Sequence, residues 1–254
     1  MSNIISVVNQ KGGVGKTTTV INLAAVISQT KKVLVIDIDP QGNSSSALGI
    51  IKNAVTDSIY NVLVENKNIK DAILTSTNEE IDVIPANINM TGLDYSLNKI
   101  ANKEYILTNK IQEISNDYDV ILIDSPPGIN LLNINALTAS DYILIPMQCE
   151  YYGLEGLSQV MQTFKRVKAT TNPRLEIIGI LFTMYDSRTK LSNEVIKEVE
   201  KYFSNYTFNT KINRSIKLSE APSYGKSCIS YSPNSKGAIQ YKELTTELLG
   251  RLKT

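Results

Sequence analysis

Short apolar runs recur along the 254-residue chain and alternate with segments whose apolar positions follow a helical period. The runs are unbroken rather than alternating, which is typical of strands covered on both faces of a sheet. The apolar stripes predict helices after Lys16 and around 154–167, 195–203 and 241–252. A further helix is expected at 44–48, just after a loop. Strands are predicted at 4–8, 33–37, 81–84, 120–123, 142–146 and 177–182.

Strands that alternate with helices predict an α/β fold in three layers, a mostly parallel twisted sheet with helices on both faces. No Pro-, Gly- or Ser-rich linker divides the chain and no internal repeat is visible, so we expect a single domain over residues 1–254. The stretch 40–75 is less regular. Residues 205–236 hold Asn, Ser, Pro and Gly without a clear period and are expected to form a long loop.

The composition limits the chemistry. The chain has no histidine and only two cysteines, Cys149 and Cys228. This excludes Ser-His-Asp and Cys-His catalysis, histidine zinc sites and a disulfide scaffold. The apolar runs are shorter than the ~20 residues of a membrane span, and the first residues lack the basic flank of a signal peptide. We therefore expect a cytoplasmic protein without stable membrane insertion.

The first predicted strand leads into the glycine-rich loop Asn-Gln-Lys-Gly-Gly-Val-Gly-Lys-Thr-Thr at 9–18, and a predicted helix follows. This strand–loop–helix context is the one that a phosphate-binding P-loop requires. Its glycines let successive N–H groups point at phosphate oxygens, and the helix N-terminus adds positive potential. We expect Lys16 to bridge the β- and γ-phosphates and the Thr17 hydroxyl to take a Mg²⁺ position. The predicted nucleotide contacts are Lys11, Gly12, Gly13, Val14, Gly15, Lys16, Thr17 and Thr18.

The loop departs from the strict P-loop pattern at its start. Gln10 stands where the first glycine is expected, and a second lysine, Lys11, precedes the glycine pair. Two lysines on one phosphate loop repel each other unless a polyanion or a partner absorbs the additional charge. A solvated loop charge is the alternative interpretation of Lys11.

Acidic residues end two of the predicted strands. Asp39 lies in Asp-Ile-Asp-Pro-Gln-Gly-Asn at 37–43, and Asp124 ends an apolar strand before Ser-Pro-Pro-Gly. The carboxyl ends of parallel strands face the ligand crevice of α/β proteins, where carboxylates hold Mg²⁺ or orient water. Asp124 is predicted to reach Mg²⁺ through water, as a Walker B type residue. The Pro-Pro-Gly loop is predicted to respond to the presence of the γ-phosphate, as switch segments do. The combination predicts a nucleotide hydrolase, and the lack of an Asn-Lys-x-Asp segment favours ATP over GTP.

The net charge of +1 conceals an asymmetry. Residues 184–254 hold 12 Lys and Arg against 7 Asp and Glu, whereas residues 1–183 carry a net charge of −4. A basic end on a near-neutral protein indicates a nucleic-acid or anionic-membrane surface. A solvated helical face with spare lysines is the simpler alternative.

The segment 11–18 resembles the deviant Walker A motif of the ParA/MinD superfamily of ATPases, and 37–43 resembles the Asp-x-Asp-Pro-Gln-Gly-Asn pattern of ParA. Segments 182–189 and 212–226 are similar to the ParA/Soj family of partitioning ATPases, so the resemblance covers essentially the whole chain. It implies a Mg²⁺-dependent ATPase that forms an ATP-dependent homodimer, in which Lys11 reaches the partner's nucleotide. It also implies that Asp39 positions the attacking water. The implied catalytic residues are Lys11, Lys16, Asp39 and Asp124, and the residues at the metal are Thr17, Asp39 and Asp124.

The resemblance further implies that the ATP-bound dimer binds DNA without regard to sequence. In the family a ParB-type partner stimulates hydrolysis, and the nucleoid-associated cycle drives chromosome or plasmid segregation. The DNA contacts carried over by position are Arg188 and Lys217, to which we add Arg214. Lys217 stands where the family usually has arginine, so it keeps the charge and loses the bidentate fork.

The nucleotide base is the point at which the sequence departs most from the family. The usual Ile-Pro-Arg-Asn, whose Pro and Asn help to hold adenine, is here Ile-Asn-Arg-Ser at 212–215. The candidate contacts of the base are therefore Asn213 and Ser215, with Met184 as a rim residue.

Two alternatives stay open. A MinD-like membrane-associated positioning ATPase would need a basic amphipathic terminal helix. In 243–254 two acidic residues offset Arg251 and Lys253, and the segment reads more as a core-packing last helix. The other alternative is a nucleotide-dependent DNA-binding regulator whose turnover is incidental.

Overall fold

The computed structural model describes residues 2–87, 93–97, 100–128 and 130–252. Within them the strands are β1 (Asn3–Val7), β2 (Val33–Asp37), β3 (Leu74–Thr75), β4 (Asp82–Ile84), β5 (Val120–Asp124), β6 (Tyr142–Gln148) and β7 (Glu176–Thr183). They form one sheet in the order β3-β4-β2-β5-β1-β6-β7. All neighbouring strands pair in parallel except β3, which runs antiparallel to β4.

Helices cover both faces of this sheet. They are α1 (Lys16–Ile27), α2 (Asn43–Ala47), α3 (Ile59–Val64), α4 (Leu93–Leu97), α5 (Ile106–Gln112), α6 (Leu131–Ala139), α7 (Tyr151–Ala169), α8 (Lys190–Phe203), α9 (Ile216–Glu220), α10 (Cys228–Tyr231) and α11 (Lys236–Arg251). Apolar residues of α1, α10 and α11 pack on one face, and those of α3 and α5 to α8 pack on the other. The predicted three-layer, mostly parallel α/β fold is confirmed.

The central strand β5 shows why the chain folds in this way. Every residue of β5 is buried. Successive strand residues point to opposite faces, so Val120 and Leu122 join the cluster around α1 while Ile121 and Ile123 join the cluster on the other face. A strand covered on both sides needs an unbroken apolar run, and that is the pattern seen in the sequence.

All six predicted strands are present with small differences in their bounds, and the short helix expected within 44–48 is α2. The two-residue β3 was not expected. Helix α6 was missed because it is buried around most of its circumference, which leaves no apolar stripe. Among the described residues, no helix combines the length and the apolar character needed to cross a membrane.

Residues 205–236, expected as a long loop, are held in place by several contacts. They contain α9, α10 and a 3₁₀ turn at Ala221–Tyr224, so the prediction of a loop without regular structure was wrong. The connection between β3 and β4 fixes this segment from the side. Asn78 donates to the Gly225 carbonyl at 2.9 Å, and the Glu79 carboxylate accepts from the Ser227 N–H at 2.6 Å and the Ser230 hydroxyl at 2.8 Å. Such contacts lie far apart in sequence and leave no local pattern.

A glycine in β7 makes room for the buried aromatic ring of Phe208. The pairing of β6 with β7 shifts by one residue, so that Ile143 pairs with Ile177 and Leu144 with Gly179. Phe208 is 1% exposed, and a Cβ placed on Gly179 would lie 2.2 Å from its ring atom Cε2. Glycine within a strand often marks such a bulge and close approach.

We expect Gly179→Ala to lower the free energy of unfolding by about 1–3 kcal/mol, because the added methyl group overpacks the site. Urea unfolding measures the change. Adding Phe208→Leu should recover part of the loss, since it removes the atoms that clash. The matched control is Gly250→Ala in α11, where a Cβ meets nothing within 4 Å; this change should stabilise by up to about 1 kcal/mol through helix propensity. Equal effects at the two glycines would contradict the packing argument.

Candidate functional site

The loop between β1 and α1 forms a concave run of backbone donors at the carboxyl edge of the sheet. Gly13 and Gly15 adopt φ values of +74° and +91°, which glycine reaches without a Cβ penalty. Apart from the hydrogen-bonded turn at Gly12–Gly13, the N–H groups from Gly12 to Thr18 have no acceptor within the described part of the chain. These donors and the N-terminus of α1 make a cradle that fits a phosphate group.

Lys16 is folded back along this loop. Its side chain is 7% exposed, and Nζ donates to the Lys11 carbonyl at 3.1 Å. Burial lowers the pKa of Lys16, while the charges of Asp124 and Asp39 raise it. A largely buried ammonium group beside the donor cradle is well placed to meet anionic oxygens, and its contact with the β- and γ-phosphates stays a prediction.

Two buried carboxylates stand side by side next to the cradle. Asp37 ends β2 and Asp124 ends β5, and the two residues are direct partners in the parallel register. The hydroxyl of Thr17 donates to Oδ2 of Asp124 at 2.7 Å, and the hydroxyl of Ser44 donates to the same oxygen. Asp37 accepts from both the N–H and the hydroxyl of Ser45, at 2.8 and 2.7 Å.

Burial and mutual repulsion raise the pKa of Asp37 to about 7, whereas the hydrogen bonds from Ser45 lower it. Burial also raises the pKa of Asp124, and Asp39 adds to this effect. One oxygen of Asp124, Oδ1, is buried without a partner among the described residues. A concentration of negative charge with an unpaired oxygen next to a phosphate cradle fits a divalent cation. No cluster of three or more His, Cys, Asp or Glu capable of enclosing a metal occurs in these residues, so the ion would depend on phosphate oxygens for much of its coordination.

Asp39 lies on a tight turn at the rim of the same space. It is 7% exposed, and its Oδ1 accepts from the Gln41 N–H at 2.9 Å while its carbonyl accepts from the Gly42 N–H at 2.8 Å. The Pro-Pro-Gly loop approaches from the other side, where Gly128 N–H donates to the Gln10 carbonyl at 3.0 Å. An open cavity of about 570 Å³ is lined by the glycine loop, the start of α1, Asp39, Pro127 and Pro222. Another open cavity, of about 680 Å³, lies at the opposite edge of the sheet, away from these groups.

A second, smaller cavity of about 110 Å³ adjoins the 570 Å³ cavity beside the glycine loop and shares Gly15, Thr18 and Met184 with it. The predicted base contacts Met184, Asn213 and Ser215 all line it. The Asn213 amide group is already hydrogen-bonded, however: it donates to the Tyr185 carbonyl at 3.0 Å and accepts from Gln240 at 2.5 Å. Its side chain therefore joins the segment after β7 to α11 at the wall of the cavity.

Lys11 points away from the phosphate cradle. Its Nζ lies 4.8 Å from the ring centroid of Tyr152 at the start of α7, and its aliphatic stem lies beside Gly156. No Asp or Glu of the described residues forms an ion pair with it. The structure thus separates the two lysines of the loop, with Lys16 inside and Lys11 at the surface.

The three predicted DNA contacts lie in different settings. Arg188 is largely exposed and forms a two-point ion pair with Asp186 at 2.7 and 2.9 Å. Lys217 pairs with Glu220 at 2.9 Å. Arg214 is exposed but also borders the second cavity, with a nitrogen 3.9 Å from the Met184 sulfur. Arg214 therefore sits next to the two adjoining cavities, whereas the other two cations face solvent.

Comparison with known proteins places this arrangement in a family. A family model described as an AAA domain matches residues 2–177. The sporulation initiation inhibitor protein Soj of Bacillus subtilis is 48% identical over 98% of both chains. The chain belongs to the Soj/ParA family of partitioning ATPases. The chromosome-partitioning ATPase Soj of Treponema pallidum is 44% identical over 99% of this chain and 98% of its own.

A solved structure supports the same fold. The cobyrinic acid a,c-diamide synthase of Mycobacterium smegmatis, with a bound ATP analogue and magnesium, superposes with a TM-score of 0.86 at 34% identity. The match covers 98% of this chain and 95% of that one. The nucleotide-binding expectation for this Soj/ParA chain is therefore supported at the level of the family.

Sequence reasoning missed several polar residues of this Soj/ParA site. Asp37, Ser44 and Ser45 build the buried carboxylate network, and their signal was present in the acidic strand end and the serine run that follows it. Gln148 was not visible in the same way. Its amide donates to the Gly13 carbonyl at 3.0 Å and approaches the Met184 sulfur at 3.0 Å, a contact that only the parallel pairing of β6 with β7 creates.

The carboxylate pair predicts an unusual pH dependence of stability. Because burial raises the pKa of Asp37 from 3.8 to about 7, the folded state holds more protons than the unfolded state within this interval. The free energy of unfolding should therefore fall as the pH rises from 5 to 7.5, and the chain has no histidine to obscure the effect. Asp37→Asn should make this fall smaller by on the order of 1–2 kcal/mol.

Urea unfolding at several pH values measures this slope. Asp71→Asn, which removes an exposed carboxylate, is the matched control and should keep the wild-type slope. A wild-type profile that is flat or rises across this interval would show that both buried carboxylates are already ionised at pH 5.

Proposed function

We propose that this chain is an ATP-driven dimerising switch that binds DNA without sequence preference and serves chromosome or plasmid segregation. The observation that carries the proposal is the separation of the two loop lysines. Lys16 is buried beside a complete phosphate cradle, while Lys11 lies outside that cavity without an acidic partner. A cation that cannot serve its own nucleotide is available to the nucleotide of a second subunit, which would link ATP occupancy to pairing.

The residues around the cradle suit ATP as substrate. The N–H groups from Gly12 to Thr18 and the Lys16 ammonium group would bind the phosphates, and the smaller cavity beside Met184 and Ser215 would receive the base. Thr17 and Asp124, already joined by a hydrogen bond, are the side chains that would hold Mg²⁺. Bound Mg²⁺ supplies charge neutralisation on the phosphates.

Asp39 is the residue we assign to hydrolysis. Its carboxylate is fixed by the Gln41 N–H at the rim of the phosphate cavity, so one oxygen remains free to orient water. Phosphoryl transfer depends mainly on such positioning and on electrostatic stabilisation. We infer that hydrolysis dissolves the dimer, and that a ParB-type partner accelerates this step.

The basic end suits a polyanion. Arg188 and Lys217 are exposed; Arg188 pairs with Asp186, and Lys217 pairs with Glu220 and lies 5.5 Å from the centroid of the Tyr231 ring. Exposed ion pairs of this kind contribute little and are screened by salt, so DNA phosphates can compete for the cations. Contacts of this type give affinity that depends on salt rather than on sequence. The protein would thus be cytoplasmic and associated with the nucleoid.

A membrane-associated role is less well supported. Helix α11 buries its apolar stripe, including Tyr241, Leu244 and Leu248, against the sheet. The guanidinium of Arg251 donates to the Ile178 and Thr207 carbonyls at 3.0 and 2.7 Å and stacks on Phe208. The terminal helix would have to leave the core to present a membrane-binding face.

A DNA-binding regulator with incidental turnover is the other alternative, and it would show no stimulated hydrolysis.

Dimerisation tests the role of Lys11. In the Asp39→Ala background, which should block hydrolysis, saturating ATP is expected to produce a dimer by light scattering. Adding Lys11→Ala should abolish the dimer while ATP still binds, because Lys11 does not line its own phosphate cavity. Lys16→Ala should abolish both. A hydrolysis-blocked chain that stays monomeric in saturating ATP would overturn the switch.

DNA binding tests the basic end. With ATP, Lys217→Ala should weaken binding to duplex DNA about equally for all sequences and reduce the salt slope of log K by about 1 per subunit, or about 2 for the dimer. ADP or no nucleotide should give much weaker binding than ATP. Lys70→Ala, which removes a surface lysine paired with Asp117, is the matched control and should change neither quantity. Binding of equal strength with and without ATP would contradict the proposal.

A further inference from the structure

Lys52 lies outside the site described above, yet its side chain closes over the turn that carries Asp39. It begins the 3₁₀ turn Lys52–Ala54, and its Nζ donates to the Gln41 carbonyl at 2.7 Å. Its methylene groups pack on Gly42, where an added Cβ would lie 2.7 Å from Cδ of Lys52. The lysine thus touches the 39–42 turn through both its charge and its stem.

The contact completes a set of bonds that fixes this turn. The N–H of Gln41 donates to the Asp39 carboxylate at 2.9 Å, and its carbonyl accepts from Lys52. Both backbone groups of one residue are therefore held, one by the functional carboxylate and the other by the ammonium group. Displacement of the Gln41 backbone would move the donor that orients Asp39. A hydrogen bond from a charged donor is stronger than a neutral one, so the lysine is an effective restraint.

The surroundings of Lys52 argue against a general stabilising role. Its 3₁₀ turn contains no buried residue, and the preceding Ile51 is 74% exposed. Lys52 makes no ion pair with any carboxylate of the described residues. It also does not line the phosphate cavity, although Asp39 and Gln41 do. The hydrogen bond of its ammonium group to the Gln41 carbonyl links it to the turn, and through the turn to Asp39.

We propose that Lys52 is a positioning residue for ATP hydrolysis, which holds the 39–42 turn so that the Asp39 carboxylate stays oriented toward the attacking water. This inference rests on the role given to Asp39 in the proposed function. Since Lys52 acts on the turn and not on the nucleotide, its loss should lower the rate of hydrolysis and leave nucleotide affinity unchanged.

The test compares four variants of the full chain: Lys52→Met, Lys52→Arg, Lys31→Met and Asp39→Ala. Lys52→Met keeps most of the stem and removes the ammonium group, whereas Lys52→Arg keeps a charged donor. We expect Lys52→Met to lower kcat for ATP hydrolysis about tenfold, because misplacing a catalytic group by 1 Å costs up to about 100-fold. The dissociation constant of a fluorescent ATP analogue should stay within about twofold. Lys52→Arg should restore most of the rate. Lys31→Met, at the opposite edge of the sheet, is the matched control and should behave as wild type.

The possible outcomes distinguish the proposed role of Lys52 from the proposed role of Asp39. A Lys52→Met chain with weaker nucleotide binding and an unchanged kcat would show a direct charge contact with the nucleotide and overturn the positioning role. Wild-type kcat in Lys52→Met, alongside lost hydrolysis in Asp39→Ala, would overturn the role of Lys52 alone. Normal hydrolysis in Asp39→Ala would overturn both. A lowered kcat that Lys52→Arg does not restore, with a lowered melting temperature, would indicate a merely structural effect and also count against the proposal.

Discussion

The parallel pairing of β5 between β1 and β2 is the constraint on which the site depends. In this register Val7, Asp124 and Asp37 are neighbours across three strand ends. The glycine loop leaves from the first of these ends and the Asp39 turn from the third, so a phosphate cradle, a buried carboxylate and a rim carboxylate meet within one crevice. A slip of one residue in either pairing would turn Asp124 to the other face of the sheet. The backbone hydrogen bonds between these strands thus determine which side chains meet at the site.

That constraint also concentrates negative charge where it is costly. Asp37 and Asp124 are fully buried next to each other, and the serine hydroxyls of α2 offset only part of the desolvation. Buried carboxylates of this kind are stable only when hydrogen bonds, protons or cations compensate them. The fold accepts this cost at the one edge where Lys16 and the donor cradle supply positive potential. The cost of burying these carboxylates and the fit of the site to a divalent cation have the same origin.

The sequence predicted features that are local in the chain. The glycine loop, the two acidic strand ends and the continuous apolar strands are each contained in one segment, so pattern and spacing suffice. Features built from distant segments could not be predicted. The engagement of Asn213 by Gln240 needs α11 to lie against the end of β7, and the contact of Lys11 with Tyr152 needs α7 beside the glycine loop. In both cases the sequence identified the residue but not the direction of its side chain, because tertiary packing decides that direction.

The contacts from Asn78 and Glu79 order part of the basic end, residues 184–254, in a way that its composition does not predict. They tie residues 225–230 to the β3–β4 connection, so this part of the serine-rich stretch 205–236 has a defined backbone path. A flexible segment would lose conformational entropy at every ordered residue when it met a polyanion, at about 1–2 kcal/mol per residue. Here the backbone is already ordered by folding, and association would restrict chiefly the rotamers of exposed side chains. Even weak, nonspecific contacts can then yield useful affinity.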